Sequence, residues 1–270
     1  MFQNNLNLNI ILPTFNEEKN VEFLIPTIIN SFNDQNYINY EITVVDDNST
    51  DRTAEIVYNL SVKYNNVKLI KRQDSPSLPL SINEGITNTQ KEYVMWLDAD
   101  GSMDIESINK LISECLNNNN IVYIGSRFIS GGGYKGKNVN KNNDGTSIFS
   151  LINNSEDSIV AIFMSLLFNK VLNRLLNIGV TDLTSGFIIG KKRYFNQSMF
   201  SDCTYGEYFI KVAVKLFLAK VEMKEVGYYC KPRVHGMSKT SSNLIRLISL
   251  SRPYFSTAAY LRREIRENLR

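Results

Sequence analysis

Asp98-Ala99-Asp100 closes the apolar run 93–97, placing two carboxylates one residue apart at the mouth of a strand. Side chains at i and i+2 leave an extended chain on the same side, so both can reach one ion. Mg²⁺ and Mn²⁺ are hard cations that take oxygen ligands and leave positions for substrate phosphates. The hydroxyl of Ser102, two residues on, adds a weaker oxygen ligand. Two further acidic segments follow apolar runs: Pro13-Thr14-Phe15-Asn16-Glu17-Glu18 and Asp46-Asp47-Asn48-Ser49-Thr50-Asp51. In a parallel sheet such segments converge on the edge where open α/β sheets hold their ligands. Clustered carboxylates repel one another, and a divalent cation is the partner that offsets this. Taken alone, the Asp98/Asp100 pair also reads as a solvated turn.

Anion-binding groups are present as well. Arg233 and Lys239 flank Gly236 near the end of the last expected strand, and Arg127 follows another strand beside the glycine run 131–133. Arg offers a planar fork to phosphate oxygens and Lys a mobile point charge. A surface basic turn is the alternative for Arg233 and Lys239. No G-x-G-x-x-G follows the first strand and no G-x-x-x-x-G-K-[ST] occurs, so phosphate charge must be met by metal and basic side chains.

The elements that position these groups alternate. Apolar or β-branched runs at 8–12, 41–45, 67–71, 93–97 and 121–125 read as strands. Helical spacing covers 20–31, about 51–64 with Ser49 and Thr50 as caps, 78–89 and 104–116. This order predicts an α/β fold with a mostly parallel sheet and helices on both faces. Beyond it come a Gly/Asn-rich loop at 130–146, a long apolar helix near 156–176, a mixed region, a helix near 205–219, a strand near 221–226 and C-terminal helix. One catalytic domain over 1–240 is expected, with 8–120 and 121–240 as its halves, and a basic amphipathic helical tail at 241–270.

Composition narrows the class. The chain has 270 residues, 43% hydrophobic, and a formal net charge of +3 that implies no nucleic-acid partner. Residues 231–270 carry Lys231, Arg233, Lys239, Arg246, Arg252, Arg262, Arg263, Arg266 and Arg270 against Glu264 and Glu267. That stretch suits an anionic surface or a solvated helix face equally. Cys115, Cys203 and Cys230 are scattered without metal-ligand spacing, the pattern of a reducing compartment. No leader-like apolar segment begins the chain, and no run approaches the roughly 18–20 apolar residues needed to span a bilayer. A cytoplasmic location is expected; the apolar helix 159–176 reads either as core or, with 244–265, as an interfacial helix in peripheral contact with the cytosolic membrane face. The sequon Asn48-Ser49-Thr50 inside the acidic site agrees with a cytosolic domain.

Pro13-Thr14-Phe15-Asn16-Glu17, Val45 through Asp51, Leu97-Asp98-Ala99-Asp100, Gly125-Ser126-Arg127-Phe128, Asp182 through Phe187, and Arg233-x-x-Gly236-x-Ser238-Lys239 occur in one order. That series resembles family 2 glycosyltransferases of the GT-A fold, over roughly residues 8–240. Within the family it looks most like the dolichyl-phosphate mannose synthase and polyprenyl-phosphate glycosyltransferase branch. The resemblance implies a nucleotide-diphospho-sugar donor (GDP- or UDP-sugar), a divalent metal and inverting transfer. Pro13, Thr14, Phe15 and Glu17 would line the nucleoside pocket, and Asp46 with Asp47 would contact base or ribose. Asp98 and Ala99 would support the sugar nucleotide, Asp100 would bind the metal, and Arg233 and Lys239 would neutralise the leaving diphosphate. Arg127 would bind an acceptor phosphate, with Ser165 beside it. The branch usually carries Gln at the position of Ser102, Arg at that of Ala161 and Gly-x-Gly where Leu78-Pro79-Leu80 stands.

A phosphate acceptor is already anionic, whereas a hydroxyl of a glycan or protein needs a general base. Asp182 and Glu207 are the candidates for that base, with Asp182 also suited to a structural turn. A nucleotidyltransferase would need a Gly-rich, Lys-containing first loop, which 13–18 is not. A non-catalytic nucleotide-sugar-binding protein is the remaining alternative. The sugar, the base and the oligomeric state are left open.

Overall fold

The computed structural model describes residues 6–32, 38–134, 137–138, 159–231, 233, 235 and 244–268. Its strands are β1 (Leu6–Thr14), β2 (Ile38–Asp46), β3 (Val67–Lys71), β4 (Tyr93–Trp96), β5 (Val122–Ser126), β6 (Gly133–Tyr134), β7 (Lys137–Asn138), β8 (Ile188–Lys191), β9 (Met223–Gly227) and β10 (Tyr229–Cys230). Its helices are α1 (Glu18–Phe32), α2 (Thr53–Lys63), α3 (Leu78–Asn88), α4 (Ile105–Asn117), α5 (Ile159–Leu176), α6 (Tyr208–Leu218) and α7 (Leu244–Asn268).

Seven strands form one sheet in the order β3-β2-β1-β4-β8-β5-β9. Every neighbouring pair is parallel except those of β8, which runs antiparallel to both β4 and β5. The sheet is mostly parallel, as expected, with this one antiparallel strand inserted in it. The antiparallel insertion lies in the region read as irregular, because four residues are too few to show a period.

The central strands are apolar because both faces are covered. Leu8, Ile10 and Leu12 of β1 join one buried cluster, with Val21, Leu24, Ile25 and Ile28 of α1 and Ile108, Leu111 and Ile112 of α4. Ile11 and Trp96 face the opposite cluster, with Ile82 and Ile86 of α3, Phe209 and Val212 of α6, and Ala258, Leu261 and Ile265 of α7. The C-terminal segment is thus packed into the body of the domain. Among the described residues, no helix is long and apolar enough to cross a membrane.

Ser49 and Thr50 do not cap α2, as the sequence suggested. The Thr53 amide donates to Asp51 Oδ1 at 2.9 Å, while Ser49 Oγ donates to Asp46 Oδ1 at 2.5 Å. Part of the 130–146 loop is ordered: β6 pairs with β7 and with β10, while 139–146 lie outside the described residues.

Candidate active site

Three loops leave the carboxyl ends of the adjacent strands β2, β1 and β4. The first two are laced together. Asn16 and Asn48 both adopt left-handed backbone, at φ 57° and 63°, a conformation that Asn tolerates better than most residues. Asn16 Oδ1 accepts from the Thr50 amide at 2.8 Å, and the Asn16 amide donates to Ser49 Oγ at 2.9 Å. The β4 loop turns sharply at Gly101, whose φ of 77° suits glycine. The Ser102 amide then donates to Asp100 Oδ1 at 2.9 Å, fixing that carboxylate.

These loops line one cleft with Pro13, Thr14, Phe15, Glu17, Asp47, Asp98, Ala99, Asp100 and Arg233. Pro76, Ser77 and Leu78 also line it, as do Thr204 and Tyr205. Arg233 bridges the acidic floor: its Nε lies 3.0 Å from Asp100 Oδ2 and its Nη1 3.8 Å from Glu17 Oε1. Asn20 holds the segment carrying Arg233. Its Oδ1 accepts from the His235 amide at 3.1 Å, and its Nδ2 donates to Glu17 Oε2 at 2.6 Å.

Adjacent Asp46 and Asp47 have different tasks. Asp46 is buried and its carboxylate accepts from the Ser49 amide and hydroxyl, which shapes the turn. Asp47 faces the cleft and pairs with buried Arg72, while its Oδ2 accepts from the Ser77 amide at 2.5 Å. Arg72 also reaches Glu84 at 3.3 Å.

The electrostatics suit a cation. Asp98 opens onto the cleft, yet protein packed around its carboxyl strips away hydration. That desolvation, with the Asp100 carboxylate beside it, pushes Asp98 up to about 7 against the pull of Arg233 and Arg127. Asp98 and Asp100 together form an oxygen donor set for a hard divalent ion. Among the described residues no group of three or more acidic, His or Cys side chains is arranged to enclose a metal. A pair with open positions is the arrangement expected where substrate phosphates complete the shell of Mg²⁺. Ser102 is buried beside the pair but does not line the cleft.

Comparison with known proteins is consistent with this cleft. The profile of glycosyl transferase family 2 matches residues 9–198. The chain belongs to glycosyl transferase family 2. It is 39% identical over 127 residues to a dolichol-phosphate mannosyltransferase of Pyrococcus furiosus, covering 47% of this chain and 35% of that protein. It is 28% identical over 131 residues to a dolichyl-phosphate beta-glucosyltransferase of Trichomonas vaginalis, covering 46% and 40%. The chain thus spans two fifths or less of the length of these curated relatives. Among solved structures, glucosyl-3-phosphoglycerate synthase of Mycobacterium tuberculosis, in complex with phosphoglyceric acid, superposes with a TM-score of 0.62 at 16% identity. That match covers 95% of this chain and 80% of the synthase. Crystals of the same synthase with Mn²⁺, UDP-glucose and phosphoglyceric acid give the same TM-score. At this identity the likeness establishes the fold, which is that of the GT-A glycosyltransferases.

Within this family 2 domain, Arg127, Asp182 and Glu207 do not line this cleft. Arg127, just after β5, is bound to Asp182. The Asp182 carboxylate accepts from the Arg127 amide at 3.0 Å, Nε at 2.8 Å and Nη2 at 2.7 Å. Thr184 Oγ1 accepts from Arg127 Nη2 and from Asn169 Nδ2, each at 2.8 Å. Asp182 is fully buried, and neither partner lines the cleft. Glu207 is also buried, and its carboxylate accepts from the Thr204 amide and hydroxyl and from the Tyr205 amide. Lys239 and the Ser165 side chain lie outside the described residues. Arg72, Asn20, Thr204 and Tyr205 were not singled out from the sequence. Their local sequence carries no signal, because each acts on a segment distant in the chain.

Proposed function

We propose that this chain is an inverting glycosyltransferase that moves a sugar from a nucleotide-diphospho-sugar to a polyprenyl phosphate. The observation that carries the donor half is the Asp98/Asp100 pair facing Arg233 at the carboxyl ends of adjacent parallel strands. The nucleoside would lie between Pro13, Phe15 and Asp47, with the diphosphate over Ala99. A Mg²⁺ or Mn²⁺ ion held by Asp98 and Asp100, as the Mn²⁺ complexes of the mycobacterial synthase support, would supply Lewis-acid neutralisation of the diphosphate. Arg233 acts on the same charge from the protein side. As an acceptor oxygen attacks the anomeric carbon, the bond to the diphosphate breaks and its electron pair leaves with the nucleotide. A guanidinium preset at that point gains strength as the charge grows.

Two observations favour a phosphate acceptor over a hydroxyl. Both carboxylates proposed as a base, Asp182 and Glu207, are buried and engaged by several donors each, and an anionic phosphate needs no base. The curated relatives named above are dolichyl-phosphate enzymes. Peripheral contact with a membrane would suit such a substrate. Leu167 and Val171 of α5 and Phe255 and Tyr260 of α7 are exposed, and Arg252 and Arg263 lie along α7.

The test is transfer from labelled UDP-glucose or GDP-mannose to dolichyl phosphate in detergent with Mn²⁺. Label should enter the lipid fraction, and Arg233→Ala should lower turnover by about 10²–10³, the usual effect of removing one preset charge partner. Label entering a glycan or peptide hydroxyl, with none in the lipid, would sink the phosphate-acceptor reading.

A further inference from the structure

We propose that Tyr205 is the residue that contacts the transferred sugar, and that Glu207 and Tyr254 hold it in place. The inference rests on the donor-cleft reading above. The lining residues follow the order of the strands: Asp47 after β2, Pro13–Glu17 after β1, then Asp98–Asp100 after β4. A nucleoside bound at Asp47 with its diphosphate at Asp98–Asp100 points its third component onward, past β4. Thr204 and Tyr205 also line the cleft, with Tyr205 close to Asp98 and Asp100 and three residues ahead of Tyr208, which is bound to Trp96 of β4.

Tyr205 has the chemistry for a sugar. More than half of its surface is open, at 53%, and an aromatic ring with a hydroxyl offers an apolar face and a donor-acceptor tip. Reduced hydration and the nearby Asp98, Asp100 and Glu17 carboxylates keep that hydroxyl protonated, with Arg233 opposing them.

The loop beneath it is braced on two sides. Glu207 Oε1 accepts from the Thr204 amide at 2.5 Å and its hydroxyl at 2.7 Å, and Oε2 accepts from the Tyr205 amide at 3.0 Å. On the other side, Gly206 lies directly under the Tyr254 hydroxyl of α7, where a Cβ would collide with it. The Tyr254 ring is itself seated edge-on against Phe168 of α5, 5.2 Å between centroids. Behind the loop, Trp96 Nε1 donates to the Tyr208 hydroxyl at 3.1 Å, tying the start of α6 to β4 and hence to Asp98. Tyr205 is therefore fixed relative to the carboxylate pair by side chains from three helices and a strand.

The experiment compares nucleotide with nucleotide-sugar. Calorimetry with Mn²⁺ measures Kd for UDP against UDP-glucose, and for GDP against GDP-mannose, in wild type, Tyr205→Ala, Gly206→Ala and Gly206→Ala/Tyr254→Phe. Tyr205→Ala is expected to leave the free nucleotide within twofold of wild type and weaken the matching nucleotide-sugar tenfold or more. Gly206→Ala should reproduce the sugar-specific loss, and adding Tyr254→Phe should restore part of it by removing the colliding oxygen. Equal effects of Tyr205→Ala on nucleotide and nucleotide-sugar, or no effect on either, would overturn the inference while leaving the donor cleft standing. Absence of binding by wild type to every one of these ligands would overturn both.

Discussion

Removing the Asp182 carboxylate should destabilise the fold far more than it impairs chemistry. Asp182 is fully buried and Arg127 nearly so, with 12% of its side chain exposed. Asp182→Ala leaves that guanidinium without its counter-charge and two of its acceptor contacts, and leaves the Arg127 backbone amide without its acceptor. Breaking a buried pair from one side costs about 3–5 kcal/mol. In a domain of this size about 1 kcal/mol moves Tm by about 2–4 °C, so a fall of about 6–20 °C is expected. The double variant Arg127→Met/Asp182→Leu removes both charges and should recover much of the loss. The assay is thermal unfolding of wild type, Arg127→Met, Asp182→Leu and the double variant as a double-mutant cycle, with Asp182→Ala alongside and turnover measured at a temperature where all are folded. Asp182→Asn serves as the near-isosteric control for a proton-accepting role. If Asp182→Asn melts within about 1 kcal/mol of wild type yet loses about a hundredfold or more in turnover, Asp182 is a general base and the structural argument fails.

Three further outcomes follow from the geometry. Because Asp98 titrates at about 7 without metal, Mn²⁺ with UDP should bind about tenfold more weakly per pH unit below that value and level off above it; a profile flat from pH 5 to 8 by calorimetry would contradict the assignment. Gly85 packs α3 onto β1, where a Cβ would come within 2.6 Å of the Ile11 side chain, so Gly85→Ala should destabilise by about 1–3 kcal/mol in urea unfolding despite its better helix propensity. Asp104 caps α4 by accepting from the Ser107 amide at 2.9 Å and pairs with Lys231 at 2.7 Å; Asp104→Ala should cost about 0.5–2 kcal/mol in the same assay, and Asp104→Ser less, since Ser restores the cap alone.

What was legible in the sequence was the strand edge that carries the Asp98/Asp100 pair. Short apolar or β-branched runs at 8–12, 41–45 and 93–97 mark strands by their own composition, and the topology of a parallel sheet then brings the loops after them together. The choice between Asp46 and Asp47 was not legible. Neighbouring side chains point oppositely at a strand end, and which one faces the cleft depends on where the strand stops. The Arg127–Asp182 pair joins segments 55 residues apart, so each partner read separately as a candidate for chemistry. Glu207 looked like a base for the same reason: nothing in Thr204-Tyr205-Gly206-Glu207 shows that the carboxylate folds back onto its own loop. Tyr205 was not singled out either, because the local sequence does not show that Gly206 beside it lies under a tyrosine contributed by the last helix.

Asp98 and Asp100 are proposed to form a metal-assisted site for a nucleotide-diphospho-sugar. The most direct measurement is the thermal midpoint of wild type and Asp100→Asn with UDP-glucose or GDP-mannose, in Mn²⁺ and in EDTA. A ligand at a hundredfold excess over its Kd adds about 2.7 kcal/mol, or about 5–11 °C here. A metal-assisted site gives that rise for one nucleotide-sugar in Mn²⁺, and loses it both in EDTA and in Asp100→Asn. An equal rise in EDTA or in Asp100→Asn, or no rise with either donor, would contradict it.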